Sequence, residues 1–281
     1  MFCCRGLLLL SIFSMRYSGI QPQYFPRLHY FARILNSDIY LIRDEVQYLK
    51  KHKYPDGTTD KSYQSHTPVK QTFGRFLLSV PIKREGFIPI GKTEVSYGNN
   101  WVETHLKTIE ICYSKAPNYQ PIYRDMETIL NMRYKTIADL NIAAICWAIQ
   151  YLINKGHSSN RDLSINSTEQ LLKKSRFRLR KIIRGSHLTK TVNLDGLSAD
   201  EKIIKLIKAV GANEDYCGGT AIAAYMHQEL FKKNGIKITV QDWHCPPYPQ
   251  QFNKLGFIPD LSIIDLFMNV SPQNAVKILL G

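Results

Sequence analysis

The chain has 281 residues, 44% of them hydrophobic, so it can bury an ordinary globular core and is neither a disordered nor a fibrous protein. Its six cysteines show no C-x-x-C spacing, which argues against a disulfide framework and favours reduced thiols. The formal net charge of +14 favours anionic partners such as phosphate-bearing small molecules, nucleic acid or a membrane surface.

The first residues contain a short apolar run, residues 7–13, far below the ~20 residues that span a bilayer. It resembles a weak signal-peptide core, but no small-x-small cleavage site follows it. The alternative is that Met15 is the natural start, which we favour because residues 17–20 are needed at once as a core strand. We therefore predict that residues 1–14 form an extension outside the core and that residues 15–281 form the folded domain.

The next segment predicts a strand–helix–strand unit. Apolar patterning predicts strands over residues 17–20 and 39–42 and a helix over residues 27–35. The first strand ends in an amide- and aromatic-bearing turn, residues 21–26, and the second ends in the acidic segment 44–47. Because open α/β sheets bind ligands at the carboxyl ends of their strands, both polar clusters are predicted to face one crevice.

Within these clusters we predict Gln21 and Tyr24 as substrate ligands on a turn that proline keeps rigid. Asp44 is predicted to act as a general base or as the partner of a metal-bridged phosphate. Gln47 is favoured with it over Glu45, because neighbouring residues of an extended chain point to opposite faces. The alternatives are a purely structural turn and a solvated strand end.

The middle of the chain is predicted to be helical, from about residue 101 to about residue 185. Helical spacing covers residues 101–113, 123–132 and 137–153, and a basic amphipathic helix is predicted over residues 168–184. Residues 76–82, which precede this region, read as a strand buried on both faces.

Two features of this region suggest ligands. Trp101 and His105 share a helix face, where Trp101 could stack on a sugar or base and His105 could act as an acid or base. The alternative is a core aromatic beside a histidine that only satisfies hydrogen bonds. The basic residues of the predicted helix, residues 171–184, could contact nucleic acid or an anionic membrane surface, and a solvated face explains them as well.

A glycine turn precedes the last predicted strand–helix segments. Gly218, Gly219 and Thr220 open a helix, so their backbone could approach a phosphate closely. A tight packing turn is the competing interpretation, and Cys217 beside it is a less favoured nucleophile.

A proline-rich segment follows the predicted strand at residues 237–243. We predict that its polar residues Asp242, Tyr248 and Gln250 form a substrate wall, and no metal site is predicted because paired ligands are missing. Strands alternate with helices at both ends of the chain. This pattern predicts an α/β fold with a Rossmann-like, mostly parallel sheet and a helical subdomain.

Five segments, in order, resemble the WbqC-like protein family. They are Gln21-Pro-x-Tyr-Phe-Pro26, Asp44-Glu-Val-Gln47, Leu77-Leu-Ser-Val-Pro-Ile82, Trp101-x3-His105-Leu-Lys-Thr-Ile-Glu110-x-x-Tyr113-x-Lys115-Ala-Pro117 and Phe257-x-Pro-x-Leu-Ser-Ile-Ile-Asp265. The departures from the usual pattern are Arg27, where an aromatic residue is usual, and His29, where a glycine is expected. Ile20 also stands where His or Met is frequent, and residues 216–220 are an altered form of a Gly/Ser-rich turn. The basic stretch 171–190 resembles an insertion.

The resemblance implies a transferase or ligase of O-antigen or other surface-polysaccharide biosynthesis. It implies that an aminoacyl group such as glycyl, or a related acyl group, is attached to a sugar nucleotide or amino sugar. A cytoplasmic protein, peripheral to the inner face of the membrane, is the matching location. By fold-level analogy with adenylating enzymes, ATP with Mg²⁺ is the cofactor hypothesis. The alternative is a non-catalytic protein that binds a sugar nucleotide or nucleic acid, and the oligomeric state stays open.

Overall fold

The computed structural model describes residues 14–53, 59–83, 86–157, 162–219, 222 and 227–281. Its strands are β1 (Arg16–Ile20), β2 (Ile39–Ile42), β3 (Lys51–Lys53), β4 (Thr59–Lys61), β5 (His66–Gln71), β6 (Gly74–Ser79), β7 (Lys181–Arg184), β8 (Glu214–Cys217) and β9 (Lys237–Val240). Its helices are α1 (Leu28–Leu35), α2 (Trp101–Tyr113), α3 (Tyr119–Asn131), α4 (Ile137–Ile153), α5 (Ile165–Lys173), α6 (Gly185–Leu188), α7 (Ala199–Ala209), α8 (Gln228–Lys233), α9 (Ile263–Asn269) and α10 (Pro272–Leu280).

Five of the strands form a central, all-parallel sheet in the order β7-β2-β1-β8-β9. Numbered by their appearance in the chain, these strands lie in the order 3-2-1-4-5. This order is that of Rossmann-like folds, in which the direction of winding reverses beside the first strand. The predicted α/β fold with a Rossmann-like parallel sheet is therefore confirmed, and the reversal lies between β1 and β8.

The sheet is covered on both faces, which explains why β2 is apolar along its whole length. Its side chains alternate between two cores: Tyr40 and Ile42 enter a large one, and Ile39 and Leu41 enter a small one. The large core contains α1 and the helical middle of the chain, and the small core contains α7 and α8.

The predicted helical middle consists of α2 to α5. Helix α4 lies at its centre, with almost every side chain buried, and the Thr136 side chain caps it by accepting a hydrogen bond from the Asp139 backbone N–H. Within the described part of the chain, none of the helices is both long enough and apolar enough to cross a bilayer.

The prediction of a basic helix over residues 168–184 is wrong for its C-terminal part. Helix α5 ends at Lys173, and Lys181–Arg184 is β7, an edge strand of the central sheet that pairs with β2. Three arginines of the predicted helix make contacts that stabilise the fold. Arg178 pairs with Asp38 (2.8 Å), Arg180 donates to the Leu172 carbonyl (2.7 Å) and Arg184 pairs with Asp44 (2.5 Å). Since the stretch supplies a sheet strand, the segment is not simply an insertion, and it presents no continuous cationic helix face.

The strand predicted over residues 76–82 instead covers Gly74–Ser79 and lies outside the central sheet. Strand β6 ends at Ser79 and pairs antiparallel with β5 in a separate hairpin. Most of its side chains are only partly buried, because a two-stranded hairpin is not enclosed on both faces. Residues 1–13 of the predicted extension lie outside the described residues, while the Ser14 hydroxyl donates to Glu214 (2.5 Å).

Candidate functional site

A cavity of about 890 Å³ opens at the carboxyl edge of the sheet, where the winding reverses. Residues at the ends of β1, β2, β8 and β9 line it together with side chains of α1 and α7. Of the residues predicted from sequence, Gln21, Gly218 and Gly219 line this cavity. Thr220 lies outside the described residues. The structure therefore brings together the first turn and the glycine turn, which are almost 200 positions apart in the chain.

Arg33 on α1 is a cation packed against the glycine turn. A Cβ added at Gly218 would lie 2.6 Å from Nη2 of Arg33, so glycine at this position leaves room for the guanidinium. The Arg33 Nε donates to Oε1 of Gln241 (2.8 Å), and burial lowers the pKa of the guanidinium. No carboxylate of the described residues lies within 4.0 Å of it. Arg33 can therefore offer its other nitrogens to an anionic ligand.

A second arginine, Arg43, enters the cavity from the end of β2 and pairs with Glu45. The Tyr17 side chain extends along β1 towards the same end, passing over Gly19. A Cβ at position 19 would overlap the Tyr17 hydroxyl and lie 2.8 Å from its Cζ. Glycine at position 19 therefore allows a tyrosine two residues earlier to reach the carboxyl edge of the sheet.

Asp215 on β8 is the carboxylate of this cavity, and sequence reasoning missed it. It is 4% exposed and pairs in register with Tyr17. Burial raises the pKa of Asp215 to about 7, while the charges of Arg33 and Arg43 oppose that rise. A carboxyl group with this pKa exchanges a proton near neutral pH, which suits an acid or base catalyst. Its position could have been a signal in the sequence, because Asp215 lies three residues before Gly218, the first glycine of the glycine turn.

Amide side chains supply neutral hydrogen-bonding groups beside these charges. Gln21 accepts a hydrogen bond from Nε2 of Gln64 (2.7 Å), and both side chains line the cavity. Gln23 also lines it, and its buried Oε1 has no hydrogen-bond partner among the described residues. Because a buried acceptor without a partner costs free energy, Gln23 is suited to receive a donor from a ligand.

His29, one of the departures noted in the sequence, is the cavity's histidine on α1. Its Nδ1 lies 2.5 Å from Oδ2 of Asp260, and its backbone N–H donates to Oδ1 of the same residue (2.9 Å). Arg27, a second departure, pairs with the same carboxylate (2.6 Å). The two unusual residues therefore meet at Asp260.

Asp44, predicted as the base, lies outside the cavity. It is fully buried and accepts hydrogen bonds from Nε of Arg184 (2.5 Å), the Ser186 backbone N–H (2.7 Å) and the Ser186 hydroxyl (2.8 Å). These bonds fasten the start of α6 to the end of β2. The Gln47 side chain is exposed, and its backbone forms an isolated bridge to Pro89. Neither residue lines the site.

Tyr24, Trp101 and His105 form a buried aromatic cluster away from the cavity. The Tyr24 hydroxyl lies 3.0 Å from Nδ1 of His105, and Nε2 of His105 lies 3.1 Å from the Ser79 carbonyl oxygen. The Trp101 ring packs edge-on against His105. Burial lowers the pKa of His105 to about 4, so this histidine stays neutral at physiological pH. This geometry favours the structural alternative for all three residues.

The predicted substrate wall after β9 divides into an exposed and a buried part. The Asp242 side chain is 92% exposed. The Tyr248 hydroxyl donates to Asp265 (2.8 Å), and Nζ of the buried Lys70 donates to Oε1 of Gln250 (3.2 Å). None of the three predicted residues lines the cavity. Within the described ranges, no group of three or more His, Cys, Asp or Glu side chains could hold a metal ion.

Comparison with known proteins places this chain in a family. The model of the WbqC-like protein family matches residues 21–277. The chain is also 23% identical to "Uncharacterized protein Rv1507c" from Mycobacterium tuberculosis, over 90% of this chain and 93% of that protein. No solved structure gives a significant match. The match covers the strand-end turn, the helical middle and the C-terminal segment alike, and the chain belongs to the WbqC-like protein family.

Proposed function

We propose that this protein is a transferase or ligase of surface-polysaccharide biosynthesis, such as that of O-antigen. It attaches an aminoacyl group, such as glycyl, or a related acyl group to the amine of a nucleotide-linked amino sugar. Family membership supports the pathway. The observation that carries the chemistry is the meeting of Arg33, Arg43 and Asp215 at one cavity on the carboxyl edge of the sheet.

The cavity's charges suit the diphosphate of a sugar nucleotide. Arg33 has no carboxylate partner among the described residues, whereas Arg43 is partly neutralised by Glu45. Lys202 of α7 adds a further cation to the lining. The guanidinium fork matches phosphate oxygens in two-point hydrogen bonds, and the small Gly218 leaves room for the guanidinium of Arg33. The volume of about 890 Å³ falls within the range of about 300–1,000 Å³ that is typical of small-molecule sites.

In the proposed reaction, the sugar amine attacks the carbonyl carbon of an activated acyl donor, such as an acyl phosphate. A C–N bond forms, and the bond between the acyl carbon and the leaving group breaks, with its electron pair passing to the leaving group. Asp215, which is protonated in part of the molecules near pH 7, gives its proton to the leaving group. The amine passes one proton to a base or to solvent, so the step conserves charge and atoms.

The test incubates the purified chain with ATP, Mg²⁺, glycine and UDP-glucosamine. We expect AMP or ADP release that requires all the substrates, together with a glycylated sugar nucleotide detected by mass spectrometry. Asp215→Asn should lower kcat by roughly 10²- to 10⁴-fold, the usual contribution of a general acid or base. Asp242→Asn is the matched control, since that carboxylate is solvent-exposed and outside the cavity.

Two results would contradict this proposal. Tight binding of UDP-glucosamine with no turnover on any acyl donor would support a non-catalytic sugar-nucleotide binder. Salt-dependent retention on DNA, without binding of UDP-glucosamine, would support a nucleic-acid binder instead.

A further inference from the structure

Asp260 fixes which ring nitrogen carries the proton in His29, the histidine of α1 that lines the cavity. A carboxylate only accepts hydrogen bonds, so the short contact between Oδ2 of Asp260 and Nδ1 of His29 places the proton on Nδ1. Although burial opposes it, the hydrogen bond from His29 and the charge of Arg27 lower the pKa of Asp260. Burial lowers the pKa of His29 despite the opposing effect of Asp260. At neutral pH the pair is therefore a carboxylate and a neutral imidazole.

The second ring nitrogen of His29, Nε2, is available to accept a hydrogen bond or a proton from a ligand. Once Nδ1 carries the proton, Nε2 holds a lone pair, and the described residues make no hydrogen bond to it. His29 is among the residues that line the cavity, and its side chain is 26% exposed. A carboxylate that orients a histidine through Nδ1, with Nε2 facing the reactants, is the arrangement by which serine hydrolases position their base.

His29 and Arg33 lie one turn apart on the same face of α1. Gln241 holds both: its Oε1 accepts from Nε of Arg33 (2.8 Å), and its Nε2 donates to the His29 backbone carbonyl (2.8 Å). His29 and Arg33 therefore lie on one short helix, and Gln241 forms a hydrogen bond to each of them. Side chains so related lie roughly 5–6 Å apart at Cβ, a separation that one small ligand can span.

We infer that His29 is the general base of the transfer, which takes the proton from the attacking amine, and that Asp260 is its positioning residue. This inference rests on the proposed function. As the C–N bond forms, the amine's N–H electron pair stays on nitrogen and its proton moves to Nε2 of His29. The leaving group departs with the acyl bond's electron pair and the Asp215 proton. Solvent then returns a proton from His29 to Asp215, which restores both groups.

The first experiment reads the tautomer of His29 directly. In the chain labelled with ¹⁵N-histidine, we expect the nitrogen spectrum to show His29 neutral, with its proton on Nδ1. UDP-glucosamine should shift the Nε2 resonance. In Asp260→Asn the Nδ1 preference should weaken, because the amide no longer presents an acceptor alone. A His29 that carries its proton on Nε2 in the wild type would overturn the inference.

The second experiment separates catalysis from folding. His29→Gln keeps a donor for Asp260 but has no base, so it should bind UDP-glucosamine normally and lose roughly 10²- to 10⁴-fold in kcat. His29→Gly should lose as much and recover part of its rate when free imidazole is added. His244→Gly, which removes a histidine that is 90% exposed, is the control and should keep the wild-type rate.

The pH profile tests the role of Asp260. Because Asp260 raises the pKa of His29 while Arg27 and Arg33 lower it, Asp260→Asn should move the acidic limb of kcat/KM to lower pH. Wild-type kcat in His29→Gln would remove this inference and leave the proposed function standing. A loss in His29→Gly that imidazole does not restore, with an unmoved acidic limb, would remove it too. A wild-type chain that binds no UDP-glucosamine would remove both.

Discussion

Gly218→Ala tests the contact between the glycine turn and the cation of the cavity. The new methyl group would lie 2.6 Å from Nη2 of Arg33, whereas non-bonded atoms pack at about 3.5–4.0 Å. The guanidinium must therefore withdraw by roughly 1 Å. It is the far end of a flexible side chain, and Gly218 does not have the positive φ that would strain an alanine. The gain of about 0.4–1 kcal/mol from a stiffer unfolded chain should offset the repacking, so the Tm should change little.

The affinity for the anion should fall much more than the stability. Hydrogen bonds to charged groups contribute about 1.5–3 kcal/mol, and each 1.4 kcal/mol is a factor of ten. Displacing Arg33 should therefore weaken UDP-glucosamine binding by roughly 10- to 100-fold in titration calorimetry at fixed salt.

The neighbouring glycine gives a matched control. A methyl group at Gly219 would meet Cγ1 of Val240 at 3.7 Å, an ordinary contact, so Gly219→Ala should bind like the wild type. If Gly218→Ala and Gly219→Ala bind UDP-glucosamine equally well, Arg33 is not the ligand of the anion. The reasoning from the glycine turn then fails.

Four further predictions address the neighbouring groups. In the wild type, the Kd of UDP-glucosamine should rise above about pH 7, because the ionised Asp215 carboxylate then competes with the diphosphate for Arg33 and Arg43. In Asp215→Asn, this Kd should stay constant between about pH 6 and about pH 8. Burial raises the pKa of Asp215 from its ordinary value of 3.8 to about 7, so between these pH values the folded chain holds a proton that the unfolded chain has lost. The wild-type free energy of unfolding should therefore fall as the pH rises across that range, and urea titrations of Asp215→Asn should lack this slope. Gly19→Ala should lower the free energy of unfolding by about 1–3 kcal/mol by overpacking against Tyr17, with partial recovery in the double variant with Tyr17→Phe; an unchanged midpoint would contradict the packing. Asp44→Ala should lower the free energy of unfolding by about 1–3 kcal/mol, because the buried Ser186 donors lose their acceptor and Arg184 keeps only Asp139 as a partner. The folded variant should bind UDP-glucosamine normally, and full stability with lost turnover would instead support catalysis by Asp44.

The first strand–helix–strand unit could be predicted from sequence almost residue by residue. Strand β2 was expected at residues 39–42 and is found there, and β1 and α1 each differ by one residue at their start. These elements are predictable because apolar runs and helical spacing are properties of the segment's own sequence. Of the two polar clusters predicted to face one crevice, Gln21 lines the cavity, whereas the Asp44 carboxylate is held by Arg184 and Ser186 outside it.

The edge strand β7 could not be predicted in this way. Its sequence, Lys-Ile-Ile-Arg, follows a basic helix with compatible spacing, so local patterning extends the helix. Pairing with β2 makes it a strand, and the backbone N–H groups of Arg180 and Lys181 donate to the Asp38 carbonyl as it begins. Strand formation of this kind depends on distant neighbours more than on the segment's own propensity.

The acidic residues show the same division between local and distant information. Asp44 looks free in the sequence because its partner Arg184 lies 140 positions away. Asp215 looks unremarkable because its burial and its two arginines come from α1 and from the end of β2. The pKa of a carboxylate depends on its burial and on the charges around it, and residues far away in the sequence supply both.

The most direct test is a crystal structure of the chain with UDP-glucosamine. We predict that the diphosphate lies within hydrogen-bond distance of Arg33 beside Gly218, and that the sugar amine faces Nε2 of His29. Electron density for the ligand at another surface, with the cavity between β1 and β8 empty, would contradict the account.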